Sequence, residues 1–255
     1  MEYQDTILEM MKGKAHPSLR YFHWEATKDQ FEIFCQQEFK IVREFPNYLQ
    51  KVLDRKPSEP VAKELKENIL EEATGELSGF NAPHKDLYLH SMRMLGFDLD
   101  RFVNAPSLPS TIPFMAFLDE VSSNGSELEC LLLFNVLIEG TSNDREELYR
   151  QMKAPKLSPK ERNIQIRATL RSHHLVRHYG LRPKDLRLKV AHSLVEPDHR
   201  RSAYGISVPL INNIDRRKEA HAIMTQGLVM WRAYRNGIAD ACNLPAQYRR
   251  AIHLN

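Results

Sequence analysis

The longest helical pattern in the sequence runs from Thr27 to about Asp54 and carries an acidic residue in the middle of its apolar face. Its apolar side chains recur with a period of about 3.6 residues, which predicts an amphipathic helix with Thr27 as its N-cap. Glu38 lies at the centre of that face. Because an isolated carboxylate is costly in an apolar environment, Glu38 is predicted to be protonated, bound to a metal or paired with a buried Arg or Lys.

Helical periodicity returns along the rest of the chain, and no stretch shows the alternating apolar pattern of a strand over a useful length. Further helices are predicted at residues 3–11, 61–74, 84–95, 114–121, 128–138, 163–178 and 209–238, with one more around His192. Pro46 is expected to kink the first long helix. The sequence therefore predicts an all-α fold, in which residues 1–255 form a single domain, a bundle of roughly seven to ten helices.

Composition argues against several classes of partner. The 36 basic and 33 acidic side chains nearly cancel to a net charge of +3 and form no long blocks, so neither nucleic acid nor a membrane surface is an expected partner. No apolar run is long enough to span a bilayer, and no glycine-rich nucleotide loop occurs. The three scattered cysteines fit a reducing compartment and make no metal knuckle, so a cytoplasmic protein is expected.

Three further polar residues are predicted to point into the core from separate helices. At 100° per residue Glu72 faces inward with its apolar neighbours, whereas Glu71 lies about 100° away from it. His84 enters the core from the first turn of its helix, where a histidine is more often a cap than a ligand. Glu139 ends the apolar run 128–138 and aligns with its inner face, although such a residue also suits a helix end that meets water.

A histidine-rich stretch near residue 195 is the strongest local signal. In a helix His192, Glu196 and His199 share one face, and together they supply the nitrogen and oxygen ligands that iron, manganese or zinc prefer. An ordinary solvated face is the alternative. Pro197 is expected to distort this helix, and Asp198, which points elsewhere, is a substitute ligand if it does.

Together these side chains form a predicted metal site of four carboxylates and three imidazoles: Glu38, Glu72, His84, Glu139, His192, Glu196 and His199. Helix bundles hold carboxylate-rich pairs of metal ions with such ligands, and four carboxylates neutralise two divalent ions. A zinc hydrolase site needs fewer acids. The ligand count therefore favours two iron ions over one zinc.

The sequence resembles the haem-oxygenase-like di-iron oxidases, relatives in fold of the TenA thiaminases and the PQQ-synthase family. The matching segments are residues 68–72 (NILEE), 84–88 (HKDLY), 139–140 (EG) and 179–186 (YGLRPKDL), the last leading to His192, Glu196 and His199. The family commonly has Asp where this chain has Glu196. The resemblance implies a seven-helix bundle, two Fe(II) ions that activate O2 with an external reductant where one is needed, and a small-molecule substrate; it is compatible with a homodimer.

The function expected on these grounds is the oxidation or oxygenation of an amino acid or a derivative of one in specialised metabolism. Two alternatives remain: a metal-free enzyme like TenA or PQQ synthase, and a non-catalytic helical binding protein whose buried acids pair with Arg or Lys. Arg167, Arg171, Arg232 and Arg235 are expected to be solvated charges rather than anchors for a substrate carboxylate. His173, His174 and His178, which lack carboxylate companions, are interpreted as surface or packing residues.

Overall fold

The structure, a computed structural model, describes residues 3–153, 158–211 and 214–250, and within these ranges it contains helices and turns but no strand. The helices of the first half are α1 (Tyr3–Met10), α2 (Pro17–Trp24), α3 (Lys28–Asp54), α4 (Glu59–Thr74), α5 (His84–Met94), α6 (Leu99–Asn104) and α7 (Thr111–Asn124). Those of the second half are α8 (Glu127–Cys130), which continues as a π-helix (Leu131–Ile138), α9 (Asp144–Lys153), α10 (Pro159–Ser172), α11 (His174–Arg177), α12 (Arg187–Ile211), α13 (Ile214–Ala241) and α14 (Ala246–Arg249). The all-α prediction is confirmed.

Helix α3 forms where its apolar periodicity predicts it. The Thr27 hydroxyl accepts a hydrogen bond from Gln30 N, and the Gln30 side-chain oxygen accepts one from Thr27 N, which completes a capping box. The helix continues through Pro46 and buries aromatic and aliphatic side chains along one face. Each such side chain contributes about 1.5–3 kcal/mol when fully buried, so tertiary packing rather than local propensity maintains this helix.

The centre of the bundle is the π-helical segment, in which every residue from 131 to 137 is buried. Helices α12 and α13 both pack against it, α7 packs against α3 and α13, and α4 lies between α3 and α12. Helix α5 contacts α3, α4 and α12. The polar residues predicted to face inward therefore lie on elements that converge on one region. None of the helices in the described ranges has both the length and the apolar composition to cross a membrane.

Two predicted boundaries were wrong. Helix α12 runs through Pro197, Gly205 and Pro209, whereas a new helix was predicted to begin at Pro209. A proline removes one backbone donor, and here the burial of residues such as Tyr204 and Ile211 outweighs that loss. The helix predicted at 163–178 is interrupted at His173, whose backbone is extended and whose ring accepts a hydrogen bond from Leu175 N.

The turn between α4 and α5 is closed by a glycine. Gly75 ends α4 with a φ of 63°, a left-handed conformation that glycine adopts without steric cost. Its carbonyl accepts a hydrogen bond from Asn81 N at 3.0 Å, so the loop folds back on the helix end. Residue 84 thereby begins α5 beside the last turns of α4.

Candidate metal centre

Three donors from three helices meet at one point. Glu72 of α4, His84 of α5 and His192 of α12 each offer a ligand atom, and these atoms lie within 4.8 Å of one another. His84 Nδ1 is 2.8 Å from Glu72 Oε1 and 3.3 Å from His192 Nε2. Such a set of two imidazoles and one carboxylate suits iron, manganese or zinc.

Glu71 belongs to this centre, although a rotation of 100° from Glu72 predicted otherwise. Its side chain is 1% exposed, and its Oε1 lies 3.0 Å from His84 Nε2. Its other oxygen accepts a hydrogen bond from Ser78 N at 2.9 Å. Because α4 is packed against α3, α5 and α12, its buried arc is wider than one stripe and includes both neighbouring acids. The adjacent pair Glu71–Glu72 was visible in the sequence, but a single-face helical model excluded one of its members.

The two carboxylates change the proton affinity of His84. Burial alone would lower the pKa of His84, but the hydrogen bonds and charges of Glu72 and Glu71 outweigh burial and raise it. For Glu71, burial would raise the pKa, and the hydrogen bonds from Ser78 and His84 reverse that effect and lower it. His84 is therefore an imidazole between two carboxylates that both favour its protonated form.

This arrangement fits a cation at the Nδ1 side of His84. Nε2 faces Glu71, which can accept its proton and so fixes the ring with Nδ1 directed toward Glu72 and His192. Metal-ligating histidines in proteins commonly have such a carboxylate on their second nitrogen. Glu72, His84 Nδ1 and His192 Nε2 would thus offer a metal ion three donors of the right chemistry.

The same centre lines a cavity of about 260 Å³ that contains three more of the predicted ligands. Glu139, which follows the π-helix, accepts a hydrogen bond from the amide of Asn68, and His199 reaches the cavity from α12. The side chain of Glu196 lies outside the described part of the structure. Asp198 is exposed and paired with Arg201 at 3.4 Å, so the substitute ligand points to solvent.

Glu38 also lines this cavity, but it is held by residues of α13. Tyr234 donates a hydrogen bond to Glu38 Oε1 at 2.7 Å, and Arg235 Nη1 lies 2.8 Å from the same oxygen. The alternative of a salt bridge to a buried Arg is therefore what the structure shows at this position. Glu38 would have to exchange Arg235 for a metal in order to be a ligand.

The π-helix determines how Glu139 approaches the cavity. Glu139 N bonds to Phe134 O at 3.3 Å, five residues back, instead of four. A turn of this segment therefore contains more residues than an α-helical turn. The α-helical period used to predict that Glu139 faces inward does not apply here, and its position on the cavity wall follows from the wider turn.

A second cavity of about 540 Å³ adjoins the first, and both are lined by Glu38, Ile138, His192 and Trp231. One wall is a stack of histidines, in which the rings of His23 and His174 are parallel with centroids 3.8 Å apart. Burial lowers the pKa of His23 and His173 to about 4 and that of His174 to about 2. These rings are consequently neutral near pH 7.

Comparison with known proteins identifies a family and a fold for this chain. A family model described as iron-containing redox enzyme matches residues 32–234. A domain of unknown function with a haem-oxygenase-like fold from Shewanella denitrificans OS217 superposes with a TM-score of 0.63 at 16% identity, covering 98% of this chain and 94% of that one. A TenA homologue from Pseudomonas syringae pv. tomato DC3000 gives a TM-score of 0.62 at 11% identity, covering 93% and 90%. None of the curated proteins matches the sequence.

Proposed function

The chain belongs to the iron-containing redox enzyme family and has the haem-oxygenase-like fold, and from this premise we propose that it is a di-iron oxidoreductase that uses O2 to oxidise a small organic molecule. The observation that supports this most directly is the convergence of Glu72, His84 and His192 within 4.8 Å, with Glu71 behind His84. When bound, iron would supply the redox chemistry, namely the activation of O2 by electrons that no side chain here provides.

The donors around this cavity would hold two ions in the proposed enzyme. Glu72, His84 and His192 would hold one, and Glu139 and His199, which line the same cavity, would contribute to the second. Glu196 is the remaining donor proposed from the sequence. Glu38 would complete the set if it exchanged its ion pair with Arg235 for a metal. The four carboxylates would then neutralise the charge of two divalent cations.

The protein's own groups perform three tasks around this centre. Glu71 orients the His84 ring by accepting a hydrogen bond from its Nε2–H group. Ile41, Val42 and Phe45 form the apolar side of the first cavity and keep bulk water from it. The second cavity shares His192 with the metal centre, so a substrate there would lie beside the reacting site.

A metal-free enzyme like TenA is the second candidate, and the similarity in fold to a TenA homologue is compatible with it. Titration with Fe(II) under anaerobic conditions separates the two. The di-iron proposal expects two equivalents to bind, followed by a change in the optical spectrum when O2 is admitted. No binding would support the metal-free candidate or a helical binding protein.

His192→Ala and His199→Ala test the ligands individually. Each variant is expected to bind less iron and to lose turnover because it removes an imidazole from the cavity wall. His221→Ala, which changes an exposed histidine on α13, is the matched control. An unchanged iron stoichiometry in both cavity variants would refute the assignment. Incubation of the iron-loaded protein with amino acids, reductant and O2, followed by mass spectrometry, would identify the reaction.

A further inference from the structure

Arg235 is a buried cation on the wall of the second cavity, and not the solvated charge that its sequence context predicts. The residue is 3% exposed and lines the second cavity but not the first. A guanidinium is strongly hydrated in the unfolded chain, so its burial requires compensation from nearby groups.

Aromatic rings provide part of this compensation and hold the group in place. The Arg235 guanidinium carbon is 4.0 Å from the ring centre of Trp231, 5.2 Å from that of Tyr234 and 5.3 Å from that of Phe34. These distances are within the range of cation–π attraction. The guanidinium is therefore fixed before any ligand arrives, which reduces the entropy that binding would cost.

The hydrogen-bonding capacity of Arg235 is incompletely used. Nη1 forms an ion pair with Glu38 but is not aligned to donate a hydrogen bond to it, and Nε has no hydrogen-bond partner among the described residues. The large majority of buried side-chain polar atoms in folded proteins have a hydrogen-bond partner. An unsatisfied N–H donor on a buried cation at a cavity wall indicates a ligand that supplies an anionic acceptor.

The surroundings favour an anion as well. Lys189 and Lys14 also line the second cavity, which adds two basic side chains to its wall. Among the described lining residues, Glu38 is the only acid. Near pH 7 the histidine stack adds no charge, and with the side chains of Phe31 and Phe34 it offers an apolar, largely aromatic wall.

We propose that the second cavity binds an organic carboxylate with an apolar body, whose carboxylate is anchored by Arg235 and whose body packs against the aromatic wall. The proposal names a substrate class for the oxidation proposed above, and in that respect it rests on that function. The binding step itself requires no metal, so it is testable independently of the iron centre.

Calorimetric titration of the metal-free protein in the presence of a chelator provides the test. The ligands are 4-phenylbutyrate, octanoate and N-acetylphenylalanine, each compared with its uncharged primary amide. At least one carboxylate is expected to bind about tenfold or more tightly than its amide, which is the effect of one charged hydrogen-bonded pair. If no carboxylate binds, or if all bind no better than their amides, the proposal is wrong.

Variants locate the anchor. Arg235→Gln is expected to abolish the preference for the carboxylate, and Arg235→Lys, which keeps the charge but lacks the planar fork, is expected to reduce it partly. Arg232→Gln is the matched control, since Arg232 lies on the same helix outside both cavities and donates to Gly13 O. A preference that survives in Arg235→Gln would overturn the assignment. If Arg235→Gln fails to fold, Arg235→Lys and the comparison of carboxylates with amides in the native chain decide whether Arg235 is the anchor.

Glu38→Gln separates a ligand anchor from a purely structural ion pair. Removal of the Glu38 charge leaves Arg235 without its anionic neighbour, so carboxylates are expected to bind more tightly than to the native chain. A structural pair predicts unchanged or weaker binding. Because all these measurements exclude metal, failure of iron binding and failure of carboxylate binding are distinct results.

Discussion

Glu71 and His84 are joined by a contact of 3.0 Å between Oε1 and Nε2, across the turn that links α4 to α5. The contact leaves Nδ1 of His84 directed at Glu72 and His192. We therefore infer that Glu71 is a positioning residue, which would act on the candidate metal site through the orientation and protonation of the His84 ring.

Substitution of Glu71 by Gln should weaken metal binding without removing a donor from the site. Loss of the charge that orients a ligating histidine commonly lowers metal affinity about 10- to 100-fold. Anaerobic Fe(II) titration measures this, with Glu67→Gln, an exposed position on the same helix, as the control. Equal affinities for Glu71→Gln and the control would show that Glu71 does not position His84.

Glu64 should make the protein less stable as pH rises. It is buried on α4, one oxygen accepts a hydrogen bond from Ser202, and Oε1 has no hydrogen-bond partner in the described ranges. Burial raises the pKa of Glu64, so the folded state holds its proton more tightly than the unfolded state, and stability falls as pH increases above the ordinary value for Glu.

Glu64→Gln should remove this dependence and stabilise the protein at pH 8. Relief of an unsatisfied buried charge is worth about 1 kcal/mol or more, which corresponds to about 2–4 °C in Tm for a chain of this size. Thermal melts at pH 5 and pH 8 are the measurement. A variant that melts below the native chain at pH 8 would contradict the prediction.

The histidine stack should make the protein sensitive to acid. The folded state keeps His23 and His174 neutral, with pKa values of about 4 and about 2, whereas an unfolded histidine titrates near 6.5. The unfolded state therefore binds more protons below pH 6.5, and each such group lowers stability by up to about 1.4 kcal/mol per pH unit. His174→Phe keeps an aromatic ring in the stack and should flatten the decline between pH 6.5 and 4. His221→Phe should leave it unchanged.

Gly75 should be intolerant of a side chain. Alanine at a φ of 63° costs about 1–2 kcal/mol, and its Cβ would also collide with the backbone of Ala82. Gly79→Ala is a close control because Gly79 has a φ of 77° with open space around it. Gly75→Ala should therefore lower Tm more than Gly79→Ala does. Because Gly75→Ala also moves the turn before α5, this variant should weaken iron binding. If both variants lowered Tm by similar amounts, a collision with Ala82 would be excluded.

The sequence predicted the fold class well because apolar periodicity reports directly on burial. The α3 pattern gave the helix boundaries within one residue, and Thr27 formed the expected cap. Boundaries failed where tertiary packing overrode a local signal, as at Pro209, where the burial of neighbouring residues carries the helix through a proline. The resemblance to a haem-oxygenase-like family was confirmed by the match over residues 32–234.

The candidate site was less accessible to sequence reasoning. Helical phase placed Glu72, His84 and His192 on inward faces, but it could not show that Glu71 also reaches His84, because the loop that closes α4 onto α5 sets that distance. Nor could it find the partner of Glu38, since Arg235 is nearly two hundred residues away along the chain. Arg235 itself was predicted to be solvated, whereas the structure buries it.

The π-helical segment makes the centre sensitive to chain length. The buried aliphatic residues of this segment could be exchanged for others of similar volume at modest cost. Deletion of a single residue between 131 and 138 is a different kind of change, because it lets the segment tighten toward ordinary α-helical pitch and rotates everything that follows. Glu139 would then turn off the cavity wall, so this stretch tolerates variation in composition but not in length.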